Sequence, residues 1–383
     1  MSSKVNLKYV FPVMMSFFVM SFCDLVGISV DRIKPEFNLS NTMVQLIPSA
    51  VFIWFFFLSV PIGILQDRIG KRLMLNIGMG ITFVGLMIPF ILYSFYGMLF
   101  GFAMLGIGNT IVQVSANPLL VDVVPSNRTS SFLSLSQFIK AIGSMIAPPF
   151  AGWLALAYGD WKLMFIVFGV VTLIAVIWLG SVKIEESVNS GKRATFSSSI
   201  SLLSIRYITM MVLGIFLVVG IDVGLNAVSG QYFMNKFQSA QTFAESGRSV
   251  YFFGKMIGTF LGAILLTRLS SNSFFRWTSI MAVAAIVALL VAPSEMAGIV
   301  IIFVIGLAVA NVFPLIFALT VKRYSDRANE ISGLMIMAVS GGAVVPLLIG
   351  WLTDSFSITA GLFVLVLSAV YIFSVSVFAS KTS

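Results

Sequence analysis

Apolar residues fill this chain in long blocks, separated by short gaps that hold most of the charge and the turn residues. An α-helix needs about 20 apolar residues to cross a bilayer. Cutting the chain at its gaps yields twelve such blocks, at roughly 9–30, 41–65, 73–93, 96–121, 130–157, 161–182, 206–228, 247–268, 276–292, 297–321, 330–352 and 358–379. The longest polar interval, "VKIEESVNSGKRATFSSS" (182–199), falls mid-chain and reads as a cytoplasmic linker. The pattern predicts an all-α membrane protein with twelve transmembrane helices in two pseudo-symmetric six-helix bundles, over 1–182 and 206–383, joined by the linker 183–205. The start, "MSSKVNLKYVFPVMM", is basic and then apolar, with no clear small-residue cleavage site. It reads as the first transmembrane helix, beginning inside the cell, rather than as a signal peptide.

The two halves repeat. "IAPPFAGWL" (146–154) and "VVPLLIGWL" (344–352) align at an offset of 198, which sets Pro148 on Pro346 and Gly152-Trp153-Leu154 on Gly350-Trp351-Leu352. The same offset sets Gly143 on Gly341 and Asp24 on Asp222. Parallel repeats of this kind place a binding site at the midplane between the halves, with access alternating by rocking.

Composition sharpens the assignment. Hydrophobic residues make up 59% of the chain and charged residues 10%. A soluble globular protein carries about 25% charged residues, so the apolar excess needs lipid as its solvent. The net charge of +9 could point to nucleic acid, but the basic residues lie in the gaps between apolar blocks, where they encode topology. Lys4, Lys8, Arg68, Lys71, Arg72, Arg206, Lys322 and Arg323 fall on one side, against Arg32, Lys34, Lys162, Lys236 and Arg248 on the other. The excess puts both termini in the cytoplasm. The chain has no His and one cysteine, Cys23, which argues against a metal centre, a disulfide and His-based catalysis. No cofactor is expected, and an enzyme or ion channel is disfavoured because a filter-like loop is also missing.

One gap carries a specific motif. "GILQDRIGKR" (63–72) lies between the second and third blocks and resembles the signature loop of the major facilitator superfamily through Gly63, Leu65, Asp67, Arg68, Gly70, Lys71 and Arg72. The resemblance covers nearly the whole chain; a degenerate second copy, "GAILLTRLSSNSFFR", keeps Arg268 but not the acid. It implies that Asp67 contacts a helix end of the other half and steadies the inside-closed state, as a carboxylate suits a helix N-terminus. Gly63 is expected to let helices approach closely, Gly70 to permit a tight turn, and Arg68 and Arg72 to hold the loop inside.

"VDRIKPEF", "VSANPLL", "LSLSQF" and "VFPLIFAL" are similar to the fucose permease group of sugar:proton symporters. In that group an Asp four residues before the Pro-x-Phe of the first helix couples protons, and Asp31 matches it. A Glu four residues before the Asn-Pro of the fourth helix is the second such group; Gln113 stands there and cannot titrate. Coupling either uses other acids or differs.

Charges inside membrane spans are costly and usually face a cavity. Asp24, Lys140, Asp222 and Lys255 sit well inside the predicted spans. Asp24 and Asp31 are two turns apart and share a face, as do Asp222 and Asn226. Asn109, Gln113 and Asn117 form a stripe ahead of Pro118, Gln137 and Lys140 share a face, and Asn311 stands near Pro314 as the stripe's counterpart. The plain alternatives are helix–helix hydrogen bonding for the amides, snorkelling for Lys255 and a solvated helix end for Asp31.

These residues suggest a monomeric bacterial inner-membrane transporter for a neutral hexose or deoxyhexose, coupled to protons. Asp24, Asp31 and Asp222 are its candidate proton groups, and Gln113, Asn117, Gln137, Lys140, Asn226, Lys255 and Asn311 its candidate substrate contacts. Its partners are then a small molecule, protons and the lipid bilayer. Amides suit sugar hydroxyls. The two intramembrane lysines favour a sugar acid or other carboxylate instead, since a buried ammonium needs an anion. Drug efflux remains a further alternative.

Overall fold

A computed structural model describes residues 6–125, 129–186, 196–266, 268–324 and 327–382. The described residues are almost entirely helical. The first six spanning helices are α1 (Leu7–Glu36), α2 (Leu46–Ile69), α3 (Lys71–Ile91), α4 (Phe95–Val123), α5 (Thr129–Tyr158) and α6 (Leu163–Ser181). The second six are α7 (Arg206–Phe237), α8 (Gln241–Leu265), α9 (Ser271–Leu290), α10 (Glu295–Arg323), α11 (Ala328–Met337 continuing through Gly341–Ser355) and α12 (Ile358–Thr382). Eleven of these are long and apolar enough to cross a membrane among the described residues. The exception is α8, which carries Glu245, Arg248 and Lys255.

Several boundaries differ from the hydropathy reading. Helix α1 runs on through Asp31 to Glu36, and α7 runs to Phe237 instead of ending near 228. Helix α8 begins at Gln241, so Glu245 and Arg248 are helical residues and not loop residues. Hydropathy ends a span at its first charges, but a helix continues wherever those charges find partners in a neighbouring helix. The described part of the linker's second end carries a short helix over Phe196–Ser201.

The repeat recurs in packing. Gly143 of α5 lies against Ser21 of α1, and Gly341 of α11 against the Phe216 carbonyl of α7, so close that a side-chain carbon at either position would overlap its neighbour. Each half thus places a glycine at the crossing of its first and fifth helices. The spanning helices also break where the cavity lies. In α1 a 3-10 turn covers Ser21–Leu25, in α10 the helix is interrupted before Val312, and in α11 a 3-10 turn covers Ala338–Ser340.

The halves meet differently at the two ends of the molecule. We call the end bearing residues 63–72 and 182–186 the linker end, and the opposite end the far end. At the far end the outer part of α1 packs on α7, and the start of α2 packs on α11. Ser49 of α2 donates to the Ala343 carbonyl of α11 at 2.6 Å. Nearer the linker end, α4 and α10 line opposite parts of a cavity.

Gly143→Leu and Gly341→Leu should each destabilise the protein by roughly 1–3 kcal/mol, as overpacked cores do. The measurement is the unfolding midpoint in detergent. Gly63 has no neighbouring atom within 4 Å of where a side-chain carbon would sit, so Gly63→Ala should leave that midpoint unchanged.

Candidate functional site

A cavity of 790 Å³ lies between the halves. The first half contributes Asp24 of α1, Gln113, Asn117 and Pro118 of α4, and Gln137, Lys140 and Ser144 of α5. The second contributes Asp222 of α7, Lys255 and Thr259 of α8, and Phe313, Pro314 and Phe317 of α10. Gly63, Gln66 and Lys71 also line it, so it extends to the linker end.

The break in α1 explains how Asp24 comes to face this space. Side chains in the segment bond back to the helix: Ser21 Oγ donates to the Phe18 carbonyl at 2.6 Å, and the Cys23 thiol points at the Met20 carbonyl at 3.2 Å. Such back-bonding competes with helical hydrogen bonds. Amides from both halves add bonds to the carbonyls of this stretch. Asn109 Nδ2 of α4 donates to the Met20 carbonyl at 2.8 Å, and Asn226 Nδ2 of α7 donates to the Asp24 carbonyl at 3.0 Å. Irregular backbone at membrane depth needs this support.

The four cavity charges are not equivalently partnered. Asp222 Oδ2 accepts from the Lys255 ammonium at 2.9 Å, and its other oxygen accepts from the Tyr251 hydroxyl. Asp24 Oδ2 accepts from the Ser144 hydroxyl at 2.5 Å, with the Cys23 thiol 3.8 Å from its second oxygen. The Lys140 ammonium makes no hydrogen bond or ion pair among the described residues, although Asp24 and Asp222 both act on it electrostatically. Two acids and two ammonium groups leave these four with no net charge. Lys71, at the cavity's linker end, pairs with Asp122 at 2.7 Å.

Amides supply most of the neutral polarity. Gln113 Nε2 donates to Asn109 Oδ1 at 2.8 Å. The Gln113 side-chain carbonyl has no partner among the described residues, so it remains an open acceptor. Asn117 Nδ2 lies 3.5 Å from the Gln113 backbone carbonyl. Phe52, Phe252, Phe313 and Phe317 provide aromatic faces.

The cavity therefore brings together Asp24, Asp222, Gln113, Asn117, Gln137, Lys140, Lys255 and Gly63. Three of the predicted coupling and substrate residues do not line it. Asn226 is spent on the α1 break, and Asn311 Nδ2 donates to the Gly258 carbonyl at 2.7 Å, joining α10 to α8. Asp31 is buried at the far end, where its Oδ2 meets the Arg248 guanidinium at 2.6 Å. Asp31 lies seven residues beyond Asp24, two helical turns nearer the far end, and there its carboxylate is taken by Arg248.

Asp31 belongs to a set of contacts that close the far end across the halves. Arg248 Nε also donates to the Asn226 carbonyl at 2.6 Å. Gly27 and Gly230 leave the room this group needs, since a side-chain carbon at either would strike Arg248 or its partners. Arg32 pairs with Glu245 at 2.6 Å. Asp354, at the end of α11, accepts from the Asn41 and Thr42 backbone N–H groups at 2.9 and 2.6 Å. Glu245, Asp354, Tyr251 and Ser144 escaped the sequence reading, and Arg248 entered it only as a charge that marks topology. Glu245 and Arg248, three residues apart, were readable as charges on one helical face had α8 been started earlier.

At the linker end Gly70 adopts φ +97° between α2 and α3, the tight turn expected of it. Glu186 docks there, accepting from the backbone N–H groups of Lys71 and Arg72 at the start of α3, while the Arg72 guanidinium donates to the Val182 carbonyl. Arg68 is exposed. The Asp67 side chain lies outside the described residues. Gly63 makes no close helix approach in this conformation.

Two helical bundles around a shared cavity that is closed at one end, with charges and amides set in its largely apolar wall, define a membrane transporter rather than an enzyme. Residues 11–338 match the Major Facilitator Superfamily, and the chain belongs to that family. It is 25% identical to the glucose/galactose transporter of Brucella abortus biovar 1 (strain 9-941) over 387 residues, covering 96% of this chain and 92% of that protein. It is 22% identical to the L-fucose-proton symporter of Escherichia coli (strain K12) over 371 residues, covering 87% and 83%. Its fold matches the crystal structure of the E. coli fucose:proton symporter with a TM-score of 0.72 at 19% identity, over 97% of this chain and 99% of that one.

Asp31→Asn should lower the unfolding midpoint strongly, because removing one member of a buried pair leaves an uncompensated charge that costs about 3–5 kcal/mol. Replacing both members, Asp31→Asn with Arg248→Met, should recover most of that loss. A double variant no more stable than the single one would show that the pair does not lock the two halves.

Proposed function

We propose that this protein carries a neutral hexose or deoxyhexose across the bacterial cytoplasmic membrane by proton-coupled alternating access. The observation that carries this reading is the cavity shared by both halves. Its volume is within the range of small-molecule sites, about 300–1,000 Å³, and it sets amides and aromatic faces beside titratable carboxylates. Amides donate and accept, which suits hydroxyls that do both. The relatives named for glucose/galactose and for L-fucose support the same cargo class.

In this reading Gln113, Asn117 and Gln137 contact sugar hydroxyls, with Asn226 and Asn311 positioning the helices that carry the site. Asp24 and Asp222 are the cavity's proton groups. Asp31 acts at the far-end closure, where taking up a proton would leave Arg248 without its counter-charge and loosen the seam. Glycines Gly63 and Gly70, with Asp67, Arg68 and Arg72, form the gate at the linker end. The basic residues Lys71, Arg72, Arg206, Lys322 and Arg323 cluster at that end, which supports a cytoplasmic side for it and for both termini. In this reading the cavity opens inward. A cavity complete within one chain supports the monomer as the transporting unit.

A second reading rests on one specific observation. Lys140 makes no hydrogen bond or ion pair among the described residues, and an ammonium there favours an anion. A sugar acid would meet it.

Uptake into proteoliposomes decides between the readings. Neutral sugars (glucose, galactose, L-fucose) and acidic ones (glucuronate, gluconate) are compared with and without an imposed proton gradient. Gradient-driven accumulation of a neutral sugar is expected, and its absence for every neutral sugar would overturn the leading reading. Asp222→Asn should abolish accumulation while leaving counterflow exchange measurable; normal accumulation would remove Asp222 from coupling. Lys140→Ala should impair acid-sugar uptake far more than neutral-sugar uptake if the second reading holds.

A further inference from the structure

A second groove, of 620 Å³, lies at the linker end of the second half, away from the central cavity. It is bounded by the start of α9 (Ser270, Ser271, Asn272) and the end of α10 (Leu319, Lys322, Arg323), with Leu269 and Tyr207 beside them. Its polar part is strongly basic. Lys322 is exposed and makes no ion pair among the described residues. The Arg323 guanidinium is held over the Tyr207 ring, 4.4 Å from its centre, so its position is fixed by stacking. Ser270 caps α9 by accepting from the Ser273 N–H at 3.2 Å, which places the positive end of a 20-residue helix at the same mouth. The other wall is apolar. Leu269 is 46% exposed there, and Leu319 packs behind it.

We propose that this groove binds the headgroup phosphate of an anionic phospholipid. The phosphate would sit between Lys322, Arg323 and the start of α9, and the acyl chains would follow the Leu269 side toward the hydrocarbon. A basic pocket between transmembrane helices at their ends suits such headgroups, and a groove that is basic on one wall and apolar on the other fits a molecule with both parts. A free anion would use only the first. Nothing in this assignment depends on which solute the central cavity carries.

The test uses the purified, delipidated full chain. Native mass spectrometry measures binding of phosphatidylglycerol and of phosphatidylethanolamine, and thermal melting is followed with each lipid and with inorganic phosphate. Each basic residue near a lipid phosphate is worth about fivefold in affinity. Lys322→Gln should therefore lose about fivefold in phosphatidylglycerol affinity, with phosphatidylethanolamine binding unchanged. Lys322→Arg should keep wild-type binding, and Lys322→Glu should abolish the preference for the anionic lipid. Because Lys322 is exposed, all three should melt like the wild type without lipid. The proposal is overturned if Lys322→Gln and Lys322→Glu bind phosphatidylglycerol as the wild type does, or if inorganic phosphate raises the melting midpoint as much as the lipid.

Discussion

Arg248 joins the two bundles at one end of the molecule. It leaves α8 of the second half, crosses the α1–α7 seam and meets Asp31 of the first half, with no exposure to solvent at either side chain. A charge buried this deeply cannot be left alone, so in this conformation the pair holds the two halves together at the far end. The surrounding glycines, the α7 carbonyl of Asn226 and the neighbouring Arg32–Glu245 bridge all serve that one placement. The closed far end in turn determines that the cavity reaches the opposite end.

Asp354 works by a different means at the same end. Its carboxylate sits at the first turn before α2 and satisfies N–H groups that a helix start leaves free. Glu186 does the equivalent at the linker end, on the start of α3. The two differ in what they join. Asp354 ties one half to the other, whereas Glu186 ties the linker to the half that precedes it. Only the first must break if the halves rock apart at the far end. The second can persist through such a motion, which keeps the linker anchored to the signature loop.

The fold was largely legible because a bilayer imposes a coarse rule that composition alone reveals. Twelve apolar blocks, a central polar gap and a repeat at Gly143/Gly341 and Asp24/Asp222 sufficed, and the glycines prove to occupy equivalent crossings. The cavity was partly legible for the same reason, since the four charges deepest in the predicted spans, Asp24, Lys140, Asp222 and Lys255, all face it. What sequence spacing could not supply was depth and partner. Asp31 lies two turns nearer the far end than Asp24, where Arg248 of the second half takes its carboxylate, and the 3-10 turn at Ser21–Leu25 is held by side-chain bonds from Ser21, Cys23, Asn109 and Asn226, which belong to three helices. Asn311 and Asn226 were misplaced for a related reason. An amide in a membrane helix reads alike whether it faces a ligand or a neighbouring backbone carbonyl.

The charge balance of the cavity limits what can enter it. Asp222 is already matched by Lys255 and Tyr251, so a ligand gains little by displacing either. The opposite wall is incomplete: Asp24 is held by neutral donors, and Lys140 makes no hydrogen bond or ion pair among the described residues. Among the described residues, those two groups carry opposite charges in the cavity that are not bonded to another charge, and they act on each other electrostatically. A neutral sugar leaves that balance intact and must find its affinity in the amides of α4 and α5. An anionic cargo, or a proton taken up by Asp24, changes it by one unit, and Lys140 is the group that registers the difference. On the proposed function, cargo class and proton coupling would both act through the charges of this one cavity, so a variant that alters one would be expected to alter the other.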